Sequence, residues 1–168
     1  MIDVVQESTT VPICLDSADP EVIKKVLPMI DKKPMINSIT LEMKRFDILL
    51  PVILDHQCKV IALCQADGKA AHTDSEKIEL ADQLVQELTK AEHPLKDIYI
   101  DPLLFSVSTD TQSAIHTLNA IKGIMKMHPG VHTICGLTNV SFGLPERRLV
   151  NRAFLISAVL MVSGCYNY

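Results

Sequence analysis

Five short apolar runs, each closing on a polar residue, alternate along the chain with five longer stretches whose apolar positions recur at helical spacing. The runs occupy residues 12–16, 34–38, 60–64, 98–101 and 133–139. Strands covered on both faces read as continuous apolar sequence, so the alternation predicts an α/β fold with a parallel sheet made of βα units. Helices are predicted over 20–31, 41–56, 74–91, 111–127 and 145–163. Asp19-Pro20 supplies an N-cap followed by a first-turn proline, and Thr73-Asp74-Ser75-Glu76 has the form of a capping box. In the third helix Ile78, Ala81, Leu84, Val85 and Leu88 share a face that packs on the sheet.

A full eight-unit barrel takes about 200 to 250 residues. At 168 residues, the chain is read as one domain over 1–168 with material for five units. Two architectures satisfy the pattern: an open, doubly wound five-stranded sheet, or an incomplete TIM (β/α)8-type barrel. In either, ligands bind beyond the carboxyl ends of the strands, where Asp16, Asn37, Asp101 and Asn139 fall.

Composition narrows the partners. With 48% hydrophobic and 4% aromatic residues, the interior is aliphatic. A net charge of -4 with scattered basic residues gives no footprint for nucleic acid or an anionic membrane. The longest apolar stretch, 153–162, falls short of the roughly 20 residues a membrane span needs and is read as a core helix. The cysteines at 14, 58, 64, 135 and 165 form no C-x-x-C and are read as small buried hydrophobes. With no secretory signal at the start, a cytoplasmic location is expected. The histidines show no H-E-x-x-H, so no metal site is expected, and G-x-S-x-G, Walker A and G-x-G-x-x-G are all missing.

What remains is polar chemistry at strand ends. An ionised Asp accepts two N–H bonds and an Asn both donates and accepts, a set suited to a ring with an amidine-like N–H edge beside a carbonyl, such as the pyrimidine half of a pterin. Each residue also has a structural alternative. Asp16 and Asp101 could cap turns, and Asn37 could cap the helix from 41. Gly136-Leu137-Thr138-Asn139-Val140-Ser141-Phe142-Gly143 sets glycines on both sides of an amide and two hydroxyls, which lets a ligand approach the backbone. Arg147-Arg148 is read as solvated surface.

Leu15-Asp16-Ser17, Met35-Ile36-Asn37-Ser38, Ile98-Tyr99-Ile100-Asp101-Pro102-Leu103 and the segment from Gly136 to Pro145 together resemble the pterin-binding methyltransferases, which act on methyltetrahydrofolate and a corrinoid protein. The resemblance runs in order from about Val11 to Gly164. It implies a TIM barrel whose pocket holds tetrahydrofolate, with Asp16, Asn37, Asp101, Gly136, Thr138 and Ser141 on the pterin and Asn139 beside N5 as the catalytic residue. Cobalamin would be carried by a partner corrinoid protein, and the activity would be methyl transfer between N5 and that corrinoid. Dihydropteroate synthase, a sister family, carries a basic cluster where this chain has Thr138-Asn139-Val140-Ser141-Phe142, which favours methyl transfer. Against the family, this chain corresponds to strands three to seven. The expectation is therefore a truncated barrel with open edges that associates as a homo-oligomer, a dimer, with a non-catalytic pterin-binding fragment as the alternative.

Overall fold

The computed structural model describes residues 2–163. In chain order the elements are α1 (Ile2–Ser8), β1 (Cys14–Asp16), α2 (Pro20–Val26), β2 (Met35–Ile39), α3 (Met43–Asp55), β3 (Lys59–Leu63), β4 (Gln65–Ala66), β5 (Lys69–Ala70), α4 (Asp74–Lys90), β6 (Ile98–Asp101), α5 (Ser113–Met127), β7 (His132–Thr133) and α6 (Arg147–Ser163). The main sheet is parallel throughout and ordered β1-β2-β3-β6-β7. Because spatial order follows chain order, every crossover steps the same way, and right-handed crossovers then place all the helices on one face. A doubly wound sheet requires the order to reverse part-way. The chain is an arc of a (β/α) barrel.

The helix-facing side of this arc is the core. Ile36, Val60, Ala62, Ile98 and Ile100 from the strands meet Ile23, Leu27, Leu49, Ile53, Leu84, Leu88 and Ile124 from the helices, all essentially inaccessible. Each large aliphatic side chain removed from water contributes about 1.5–3 kcal/mol. A smaller cluster of Leu104, Val140 and Phe154 lies under the loops that follow β6 and β7. Among the described residues β1 and β7 each pair on one side only.

Capping chemistry sets the helix starts as expected. Asp19 accepts from the Glu21 N–H ahead of α2, and Thr73 with Glu76 forms a reciprocal capping box at α4. The differences have local causes. The helix expected over 20–31 ends at Val26 and tightens into a 3-10 turn over Leu27–Met29, because Pro28 has no N–H to continue the ladder. The run 133–139 is strand only at His132–Thr133. Beyond Gly136 it coils into a 3-10 helix, Leu137–Ser141, in which the Asn139 N–H donates to the Gly136 carbonyl. The 65–72 loop contains the β4–β5 hairpin, turned by Asp67 (φ 47°) and Gly68 (φ 73°), an Asp-Gly pair suited to a tight hairpin turn. α6 is not a wholly buried helix. Phe154 is buried, but Ile156 and Leu160 are 62% and 65% exposed. Cys58 and Cys64 are buried as expected, Cys14 is exposed, and Cys165 lies outside the described residues. No helix among the described residues is long and apolar enough to cross a membrane.

Candidate functional site

The face of the sheet opposite the helices carries the candidate chemistry. Ladder register aligns Asp16, Asn37, Ile61, Tyr99 and His132 in one row across the five strands. Alternation then puts Asp101, two residues beyond Tyr99 on β6, on the same face one step nearer the carboxyl mouth. Asn37 Nδ2 donates to Asp16 Oδ2 at 3.1 Å, so these two side chains form one unit. The register shifts just after Asn37, between Asn37 and Ile39. The Asn37–Ser38 peptide bond is cis.

The structural alternatives can now be judged. Asp16 caps nothing, because Ser17 Oγ accepts from the Asp19 N–H and Asp19 caps α2. Asn37 is not the cap of α3 either, whose first turn follows Glu42. Asp101 is divided. Its Oδ1 accepts from the Leu103 N–H at 2.8 Å in a turn, and a second carboxylate oxygen remains. Burial raises the Asp101 pKa above the usual carboxylate value, with the Leu103 N–H and the Lys77 charge pulling the other way.

Asn139 sits on the loop after β7, exposed, with no side-chain hydrogen bond among the described residues. That loop is fastened to the one following Asp101. The Val107 N–H donates to the Val140 carbonyl at 3.1 Å, and the hydroxyls of Ser106 and Ser108 both donate to the Phe142 carbonyl. Cys135, at the start of the same loop, lies within electrostatic reach of Asp101. Thr138 is exposed beside Asn139.

Ser141 differs from expectation. It is fully buried, donates to the Thr138 carbonyl and accepts from Arg147 Nε. Its hydroxyl holds the loop and does not face the groove. Arg147 is likewise more than solvated surface, since its Nη2 donates to the Thr138 carbonyl at 3.0 Å. Gly136 leaves room, because a Cβ there would lie 2.8 Å from Asn139 Nδ2. Its φ of -71° suits alanine, so Gly136→Ala is expected to fold normally and displace the Asn139 amide, read as a shifted Asn139 side-chain amide resonance beside an unchanged melting temperature.

Two more cations brace the mouth. Arg45 donates to the carbonyls of Ser17, Ala18 and Ser38, tying the loop after β1 to the end of β2. Lys77 does the same for the loops after β5 and β6. Glu42 accepts from Gln65 Nε2 and the Gly68 N–H, anchoring the hairpin. The thiols of Cys64 and Cys135 are pushed up to about 12 and about 11, chiefly by burial, so neither supplies a thiolate at neutral pH. The arrangement offers carboxylates and amides, suited to holding a polar ring and not to nucleophilic attack.

The sequence profile of the family described as pterin binding enzyme matches residues 1–164. The chain belongs to this family. A methylcorrinoid:tetrahydrofolate methyltransferase of Eubacterium limosum is 36% identical over 157 residues, covering 92% of this pterin-binding family member and 58% of that protein. Methionine synthase of Mycobacterium tuberculosis is 32% identical over 160 residues, covering 88% of this chain and 13% of that protein. Among solved structures, dihydropteroate synthase of Xanthomonas albilineans superposes with a TM-score of 0.62 at 17% identity, over 98% of this chain and 60% of that one. That likeness agrees with a partial TIM barrel. The chain spans 58% of the length of the methyltransferase it matches.

Proposed function

We propose that this chain binds the pterin of methyltetrahydrofolate and assists transfer of its N5 methyl group to, or from, a corrinoid carried by a partner protein. The observation that carries the reading is the row on the face opposite the helices: the Asp16–Asn37 unit, Asp101 beyond it, and an Asn139 amide, without a side-chain hydrogen bond among the described residues, on a loop fastened to Asp101's own. The family match and the identity to a methylcorrinoid:tetrahydrofolate methyltransferase support the choice of ligand.

In this reading Asp16 and Asp101 accept from the N–H edge of the pterin, and Asn37 both donates and accepts. The corrinoid, when bound, supplies a cobalt(I) nucleophile for the methyl group. As the methyl leaves, N5 retains the bonding electron pair, gains basicity and takes up a proton from solvent, ending as a secondary amine. The Asn139 amide donates to that nitrogen, a bond that strengthens as the transfer proceeds. Gly136 and Thr138 give the ring close access to the backbone, and Ser141 with Arg147 holds the loop. The work is cytoplasmic, and neither nucleic acid nor membrane takes part.

A second reading, a pterin-binding fragment without turnover, is favoured by the outer sides of β1 and β7, which find no strand partner among the described residues. The same edges make self-association as a dimer part of the proposal, checked by sedimentation of the purified chain. Calorimetric titration with methyltetrahydrofolate, followed by methyl exchange with reduced cobalamin, separates the outcomes. Heat with exchange supports the enzyme, heat alone supports the fragment, and no heat overturns both.

A further inference from the structure

Lys77 lies in the buried stripe of α4 that continues through Ala81, Leu84 and Leu88, and it is fully inaccessible to solvent. A buried ammonium persists only where its protons find acceptors. Here they find three carbonyls: Ala71 at 2.9 Å, Pro102 at 2.7 Å and Leu103 at 2.7 Å. The Phe105 ring, stacked on His72, lies 5.1 Å from the same nitrogen.

Two of the three carbonyls belong to the residues directly after Asp101. Leu103 has φ 60°, a left-handed conformation that a leucine keeps only where its surroundings hold it. Both ends of Leu103 are held, its N–H by Asp101 Oδ1 and its carbonyl by Lys77 Nζ and more weakly by Thr117 Oγ1 at 3.4 Å.

We propose that Lys77 is a positioning residue for Asp101: by gripping the Pro102 and Leu103 carbonyls it fixes the turn that aims the carboxylate, and its buried charge faces that carboxylate. This rests on the reading of Asp101 as a pterin contact. The groups facing Asp101 are Lys77 from α4, the Cys64 thiol at the end of β3 and the Cys135 thiol after β7. Lys77 in turn faces Cys64, Asp101, Asp110 and Glu76. Burial pushes the Asp101 pKa up and Lys77 pulls it down, so removing the cation moves the carboxylate's midpoint higher.

The test is a titration of the Asp101 side-chain carboxyl by carbon-detected NMR in the full chain, without ligand, in parallel with calorimetry against methyltetrahydrofolate over a range of pH. In Lys77→Met the Asp101 midpoint is expected to rise, and affinity at neutral pH to weaken by about tenfold. The acid limb of binding is expected to move up with the midpoint. Lys77→Arg, which keeps the charge, is expected to hold the midpoint near the parent value. An unchanged midpoint in Lys77→Met overturns the proposal. Should that variant fold poorly, the pair Lys77→Met with Leu103→Gly restores the turn without the charge, since glycine adopts the left-handed conformation unaided. Its midpoint is also expected to stay high, and a parent-like value there overturns the proposal. A parent chain that gives no heat with methyltetrahydrofolate sinks the pterin reading, whereas the Asp101 titration decides the role of Lys77 on its own.

Discussion

Asn139→Ala is expected to slow methyl exchange between methyltetrahydrofolate and cobalamin by about 10²- to 10³-fold, with affinity for methyltetrahydrofolate changed by no more than a few-fold. On the proposed reading, the separation of rate from binding follows from what the amide would meet. In the ground state N5 carries the methyl and its lone pair is a weak acceptor, so the hydrogen bond adds little. As the carbon–nitrogen bond breaks, electron density collects on N5 and the same donor gains strength, which lowers the barrier without tightening the resting complex. Asn139 is ready for that task. Its backbone is fixed by the Gly136 carbonyl on one side and the Phe142 N–H on the other, while its side chain is uncommitted among the described residues. Single-turnover exchange measured beside calorimetry checks both halves. A variant that exchanges at the parent rate removes Asn139 from the mechanism, and one that loses affinity in step with rate makes it a binding residue.

Much of the architecture was legible because parallel strands announce themselves. Runs such as Val60-Ile61-Ala62-Leu63 have no polar position to reconcile with solvent, and polar residues at their carboxyl ends mark the mouth. Which of two parallel folds the runs build was not legible, since strand order depends on which neighbour each crossover seeks and leaves no local trace. The resemblance pointed to the barrel, and the order β1-β2-β3-β6-β7 agrees. α1 went unnoticed because it is short and buries none of its residues. The hairpin was readable in principle from Asp67-Gly68, but the flanking strands of two residues are too short for an alternation to register.

The site divides in the same way. Strand-end position alone put Asp16, Asn37 and Asp101 at the mouth, and the register agrees in setting Asp16 beside Asn37. What holds them was not found, because Arg45, Lys77 and Arg147 act on carbonyls contributed by other segments of the chain. Lys77 did leave a trace, a lysine in line with Ala81, Leu84 and Leu88. Ser141 shows the opposite failure: a hydroxyl in the right segment was assigned to the ligand, whereas the 3-10 turn points it inward to Thr138 and Arg147.

Asp101→Asn is expected to weaken methyltetrahydrofolate binding by about 10³-fold while making the unliganded chain more stable at neutral pH. The asparagine must keep its Oδ1 on the Leu103 N–H, a bond of 2.8 Å in the parent. Its Nδ2 then takes the place of the free carboxylate oxygen and sets a donor against the donor edge of the pterin. The stability change runs the other way because burial raises the Asp101 pKa above its unfolded value. Between those two values the folded chain binds the extra proton, so stability falls as pH rises through that window, and above the folded value the whole cost is present. The amide carries no charge and escapes the cost. The difference in melting temperature between variant and parent should therefore be positive at pH 7, shrink as pH drops from the raised folded value toward the ordinary aspartate range, and vanish below it. Melting curves across pH with and without methyltetrahydrofolate check both parts. A variant less stable than the parent at pH 7 would show that Asp101 serves the fold first, and one that still binds tightly would take it out of the pterin site.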